Sequence, residues 1–231
     1  MKTSRNPRRA AALPLSPERI VQAALDEVEA DGLAALSMRK VGQRLGREAM
    51  SLYHHFPSKQ HLLDAMVDHA LRSIEPPPPG LSPIDRVRRS IYDYRAMASR
   101  FPALFPLVAV HRLNTPTGVR FIESILVLIS AVVPDAETAA RYFRAIGYYI
   151  TGAGLDESAG YAKGPSAAEP VSDEFVVREC PQLVGVAPYF KPAHWDATFA
   201  LGVEALLAAM KRDAARLRQA SRDPGASKGS A

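Results

Sequence analysis

The sequence predicts an all-α protein: a small N-terminal helical domain followed by a larger helical one. Three observations predict it. Apolar residues recur at three- and four-residue spacing in the long segments. No run shows the two-residue alternation of a half-buried strand. The run Pro76–Pro77–Pro78–Pro79–Gly80 then divides the chain where no helix can continue.

Residues 1–15 are expected to form a flexible basic arm, because residues 1–9 carry Lys2, Arg5, Arg8 and Arg9 with no acid. A domain over 16–75 follows. Ser16 and Pro17 suit the N-cap and first turn of a helix reaching about Asp31, with Ile20, Ala24 and Val28 on one face and Gly32 ending it. Ser37 can cap a second helix, Met38 to Leu45, with Val41 and Leu45 apolar. Gly46 supplies the left-handed residue of a sharp turn, and Gly42 has no side chain to hold off a crossing helix. A short third helix is expected over about Glu48–Phe56, ended by Pro57. Ser58 then caps a fourth, about Lys59–Ile74, with Leu62, Met66, Ala70 and others apolar at helical spacing. A small residue, a turn glycine and a short second helix form a helix-turn-helix signature.

The second domain is expected over 81–212. Ser82–Pro83 starts a helix with Ile84, Val87, Ile91 and Tyr94 inward. Phe101–Val110, interrupted by Pro102 and Pro106, gives a short or broken helix, and another runs over about Thr117–Val133. Pro134 and Asp135 open a long helix to about Ala159. Residues 160–193 are rich in Pro, Gly and Ser and read as flexible, with one short helix near Asp173–Glu179. The last helix runs from about His194 to Arg212 or a little beyond, and 213–231 reads as a disordered tail.

Composition bounds the function classes. The 231 residues are 47% hydrophobic and 23% charged, with a net charge of +5, which permits a nucleic-acid partner. Residues 39–59 hold Arg39, Lys40, Arg44, Arg47 and Lys59 against Glu48 alone, so positive charge concentrates in the helix-turn-helix as well as in the arm. Cys180 is the only cysteine, which fits a reducing cytoplasm. The longest strongly apolar run, Ile125–Val133, is short of the roughly 20 residues a membrane span needs, so no membrane partner is expected. His54, His55, His61 and His69 lack a zinc spacing. With no nucleophile elbow, phosphate loop or dinucleotide glycine fingerprint, no enzyme, cofactor or metal is expected.

The segment Ser16–Ile74 resembles the DNA-binding domain of the tetracycline-repressor-like (TetR) family of transcriptional regulators. The resemblance rests on SPERIVQAALDEVEADG, LSMRKVGQRLG, SLYHHF and SKQHLLDAM, with L-Y-x-H-F and the following lysine the most distinctive part. It implies that the helix Glu48–Phe56 enters the major groove of an operator. Ser37, Met38 and Arg39 would approach the backbone or a base edge, and Ala49, Met50 and Ser51 would face bases. Tyr53, His54, His55 and Lys59 complete the implied DNA set, with Tyr53, His55 and Lys59 on phosphates. Tetracycline-responsive members carry Gln-Pro-Thr where this chain has Ala49, Met50 and Ser51, which implies a different operator.

The resemblance also implies a homodimer and a small-molecule effector. Helices at about 136–159 and 194–212 combine apolar with small residues, among them Ala139, Ala140, Ala145 and Gly147, and Ala200, Gly202, Ala205, Ala208 and Ala209. In the family the corresponding pair packs against its copy; packing within the chain is the alternative. Phe101, Phe105, Phe121, Tyr148 and Trp195 are candidates to line an apolar effector cavity, with His111 and Asp156 as polar contacts. A magnesium-chelated ligand is not expected, because Glu75 stands where the fourth helix would end in histidine. The expected function is a cytoplasmic, sequence-specific repressor released by a ligand. The alternatives are a non-inducible DNA binder, or an enzyme with an incidental basic segment.

Overall fold

The structure, a computed structural model, describes residues 14–111, 114–159 and 169–222. The described residues are helical, without strands. They divide into two compact units, one ending at Met66 and one beginning at Val67.

The first unit contains α1 (Pro17–Asp31), α2 (Met38–Leu45), α3 (Ala49–Tyr53) and the start of α4 (Lys59–Arg72). The Ser16 hydroxyl accepts from the Arg19 N–H, and Gly32 ends α1 at φ +80° with its N–H on the Val28 carbonyl. Ser37 caps α2 through the Lys40 N–H, and Gly46 closes it in the left-handed region at φ +62°. Ile20, Val28, Val41, Leu52, Leu62 and Met66 are fully or almost fully buried. α3 is shorter than expected, yet the His55 and Phe56 N–H groups both reach back to the Leu52 carbonyl and continue the turn.

The second unit contains α5 (Pro83–Arg100), α6 (Phe105–His111), α7 (Pro116–Ser130), α8 (Ala136–Ala159), α9 (Asp173–Glu179), α10 (Pro181–Val186) and α11 (Trp195–Arg222). α5 packs on α7 and α8, and α11 packs on α5 and α8. Phe199, Val203, Leu207, Met210 and Ala214 follow one another every three or four residues along α11 and are buried. They meet Val87, Ile91, Ile129, Val133, Tyr142 and Ile146 in one apolar core.

Three expectations need correction. The division falls inside α4 rather than at the proline run, because Leu62 and Met66 belong to one unit while Val67, Ala70 and Leu71 belong to the other. The last helix continues to Arg222, so residues 213–222 are helix rather than tail, and Ala214 is buried. The expected short helix is α9, but the segment after it also carries α10 and two 3-10 turns, Ala187–Phe190 and Pro192–His194, where no further helix was expected. The expected arm up to residue 13, residues 160–168 and residues 223–231 lie outside the described residues.

Candidate nucleic-acid interface and ligand cavity

The helix-turn-helix is built around a close approach. A Cβ added at Gly42 would lie 2.8 Å from the Arg47 carbonyl oxygen and 3.2 Å from the Ala49 nitrogen. Only glycine lets the chain entering α3 pass this near α2. Leu52 and Phe56 anchor α3 inward, buried at 0% and 8% exposure. The other side of the element faces outward. Met50 is 68% exposed, and Tyr53, His54, His55 and Lys59 are exposed with it. Arg39 is exposed on the first turn of α2.

The remaining expected DNA residues are more confined. Ala49 and Ser51 are half-buried, and the Ser51 hydroxyl donates to the Glu48 carbonyl at 2.7 Å. Ser37 is occupied as the α2 cap. Met38 departs from expectation: at 5% exposure its side chain is core, because the first turn of α2 presents it to the apolar side.

Two of the basic residues counted toward a DNA surface are neutralised internally. Glu27, on the buried stripe of α1, accepts from Arg44 at 3.1 Å and pairs with Lys40 at 3.3 Å. Lys40 also meets Asp31 at 2.5 Å. These bonds, Asp31 first and Glu27 second, raise the Lys40 pKa above the ordinary lysine value. Asp31 is held below the carboxylate range, mainly by the bond from Lys40. The motif alone hid Glu27; a carboxylate on the apolar face with Ile20, Ala24 and Val28 was the sign of a buried pair.

The second unit holds a partly open apolar cavity of about 50 Å³ between α5, α7 and α8. Tyr94, Phe121, Ile125, Phe143 and Ile150 line it, with Ser90 and Thr151 as polar members. Tyr94 stacks near Phe121, with ring centroids 6.1 Å apart. Of the seven expected ligand residues, Phe121 alone lines this cavity.

The other six are placed elsewhere. Phe105 is fully buried against Gly154 and the edge of Tyr94, as ordinary core. Phe101 meets the His69 ring edge-on. His111 ends α6 and bonds Asn114. Tyr148, Asp156 and Trp195 lie together instead in an open groove between α8 and α11 of about 370 Å³. Helical spacing explains the split: Gly147 and Thr151 point inward, so Tyr148 and Asp156 fall on the outer side of α8.

α7 is tied to α4 within this unit. Thr115 caps α7 through the Gly118 N–H at 3.0 Å and donates to Asp68 at 2.5 Å. Arg72 bridges Asp68 and Thr117.

Comparison with known proteins agrees with this architecture. Residues 20–66 match the model of the family described as "Bacterial regulatory proteins, tetR family". The HTH-type transcriptional repressor DrrR1 of Streptomyces coeruleorubidus is 44% identical over 75 residues, which is 32% of this chain and 28% of that protein, so this match spans well under two thirds of that relative. An HTH-type transcriptional regulator of Saccharopolyspora erythraea is 26% identical over 85% of this chain and 84% of its own. The crystal structure of the Streptomyces coelicolor TetR family protein ActR in complex with actinorhodin superposes with a TM-score of 0.65 at 28% identity, over 86% of this chain and 96% of that one. The matched helix-turn-helix, together with likeness along most of the second unit, makes the chain similar to the TetR family of bacterial regulatory proteins.

Proposed function

We propose that the protein is a sequence-specific DNA-binding repressor that a small molecule releases from its operator. The observation that carries this is the outer surface of α3, where Met50, Tyr53, His54, His55 and Lys59 are exposed around an anchored Leu52 and Phe56. Met50 offers an apolar contact for thymine methyls, and Lys59 and Tyr53 offer phosphate contacts. Arg39 adds a guanidinium able to grip a guanine or a phosphate.

Two copies would place two α3 helices on a pseudo-palindrome. The exposed apolar residues of α8 and α11 support a homodimer: Tyr148 is 66% exposed and Leu201 75%. The segment between them adds Phe175, Leu183, Tyr189 and Phe190, all exposed. Surfaces of this kind are covered in stable assemblies.

The effector reading rests on the apolar cavity and on the relative that holds actinorhodin. A cavity of about 50 Å³ is smaller than a typical ligand site of ~300–1,000 Å³. Binding therefore has to favour a widened state of α5, α7 and α8. Thr115 and Asp68 give that widening a path to α4, which is covalently continuous with the reading domain. Its non-enzymatic character and cytoplasmic location are part of the same proposal; among the described residues no helix is long and apolar enough to cross a membrane.

The test uses an operator selected from random duplex DNA, with actinorhodin as the probe ligand. Operator affinity should fall by about 5- to 150-fold on ligand saturation, and operator should weaken ligand binding by the same factor. Ligand affinity unchanged by saturating operator would rule out induction by that molecule.

A further inference from the structure

α5, the end of α8 and the start of α11 border an open groove of about 970 Å³ within the second unit. It is large enough for a drug-sized molecule. Its walls include the rings of Tyr92 and Trp195 together with Pro102 and Pro192.

The charges lining it are not balanced along its length. At one end Arg88 bonds Asp85 and Glu204, and Lys211 acts on the same two carboxylates. In the middle Arg89 pairs with Asp93 at 2.7 Å. At the far end Arg95 alone faces two carboxylates, Glu157 and Asp196, each at 2.8 Å. The Arg95–Glu157 pair is closed in, with both side chains 13% exposed and the guanidinium 4.4 Å above the Phe199 ring. Asp196 is the opposite case: its side chain is 94% exposed, beside Trp195. Lys191 and His194 precede it in sequence but do not line the groove. One surplus negative charge therefore stands next to an indole in a chain whose net charge is +5.

We propose that this groove is a second small-molecule site, separate from the apolar cavity between α5, α7 and α8, and that it takes a planar aromatic cation. The flat part would lie against Trp195 and Tyr92, and the ammonium would meet the Asp196 carboxylate. Aromatic faces and a carboxylate both favour a cation, whereas an anion of the same shape meets uncompensated like charge.

Trp195 is the only tryptophan and lines both this groove and the adjoining one between α8 and α11, so its fluorescence reports binding at either, and Asp196, which lines this groove and not the other, tells them apart. The probes are 9-(aminomethyl)anthracene and anthracene-9-carboxylate, which share one ring system, carry opposite charge and absorb where tryptophan emits. The full-length protein should bind the amine about tenfold more tightly than the carboxylate, with Trp195 emission quenched. Asp196→Asn, at an exposed position, should keep the melting temperature and reduce the preference to about threefold or less. Equal binding of the two probes, no quenching by the amine, or a preference untouched in Asp196→Asn would each overturn the proposal. Operator binding is read separately, so failure here is distinct from failure of the DNA reading.

Discussion

Replacing Gly42 by alanine sets two quantities against each other. In a helix interior, glycine to alanine stabilises by about 1 kcal/mol. Here the new Cβ would stand 2.8 Å from the Arg47 oxygen, 3.2 Å from the Ala49 nitrogen and 3.4 Å from the Glu48 carbonyl carbon. All three are backbone atoms and cannot rotate aside. The turn must open by several tenths of an ångström, and overpacking of this sort costs ~1–3 kcal/mol. The net expectation is a domain destabilised by roughly 0–2 kcal/mol, with α3 displaced from its seat on α2. The second effect is the more diagnostic. A shifted α3 cannot keep all its base contacts, and one good contact is worth ~1–3 kcal/mol, so operator affinity should fall about tenfold or more. Thermal unfolding and fluorescence anisotropy with labelled operator measure the two effects. A variant stabilised by the full helical gain that binds operator like the parent would refute the close-packing argument.

The remaining predictions concern the second unit. Leu201→Glu, on the exposed face of α11, should convert a dimer into folded monomers, which light scattering at micromolar concentration would detect; a native chain that is already monomeric would defeat the interface assignment. Gly202→Ala should act differently, lowering stability by ~1–3 kcal/mol, because its Cβ would meet the Tyr149 ring at 2.3 Å within the same chain. The Tyr142 hydroxyl donates to Asp213 at 2.7 Å, and its pKa is pushed up to about 12, by burial first and that bond second. The folded phenol stays neutral where an unfolded tyrosine, near 10, ionises. Its contribution is therefore full below about pH 10 and is lost as pH rises toward 12. Tyr142→Phe should remove up to about 3 kcal/mol of that alkaline loss in denaturant unfolding at pH 9 to 12; parallel curves for parent and variant would refute it.

The N-terminal unit was highly legible in the sequence because its signals are local. Ser16, Ser37 and Gly46 act within a few residues, and each cap and turn formed as its chemistry requires. What escaped was non-local. Glu27 neutralises Arg44 from seventeen residues away, so charge counted along the segment overstated the free positive surface. In the second unit the aromatic residues drew attention by type, but of those expected to line the apolar cavity only Phe121 does. Which side of α8 points inward depends on how α5 and α7 pack against it, and this put Phe143, Ile150 and Thr151 at the cavity and Tyr148 outside. The small residues were only partly legible as close-packing points: Gly202 meets Tyr149 of the same chain, a Cβ at Gly147 would meet nothing within 4 Å, and Gly154, which meets Phe105, was not singled out. α9 was anticipated at Asp173–Glu179, whereas α10 was missed because its residues are all exposed and offer little apolar periodicity.

The central claim is that α3 and the start of α4 hold DNA through Tyr53 and Lys59. The direct measurement is operator affinity across roughly 50–200 mM salt for the parent, Tyr53→Ala and Lys59→Ala. The parent should lose affinity steeply with salt. Lys59→Ala should bind all sequences more weakly and reduce the slope by about one, the loss of one phosphate contact. Tyr53→Ala should weaken binding at every salt concentration with little change of slope, since it removes no charge. Variants that match the parent in both affinity and slope would contradict the account and place the DNA-binding surface elsewhere on the protein.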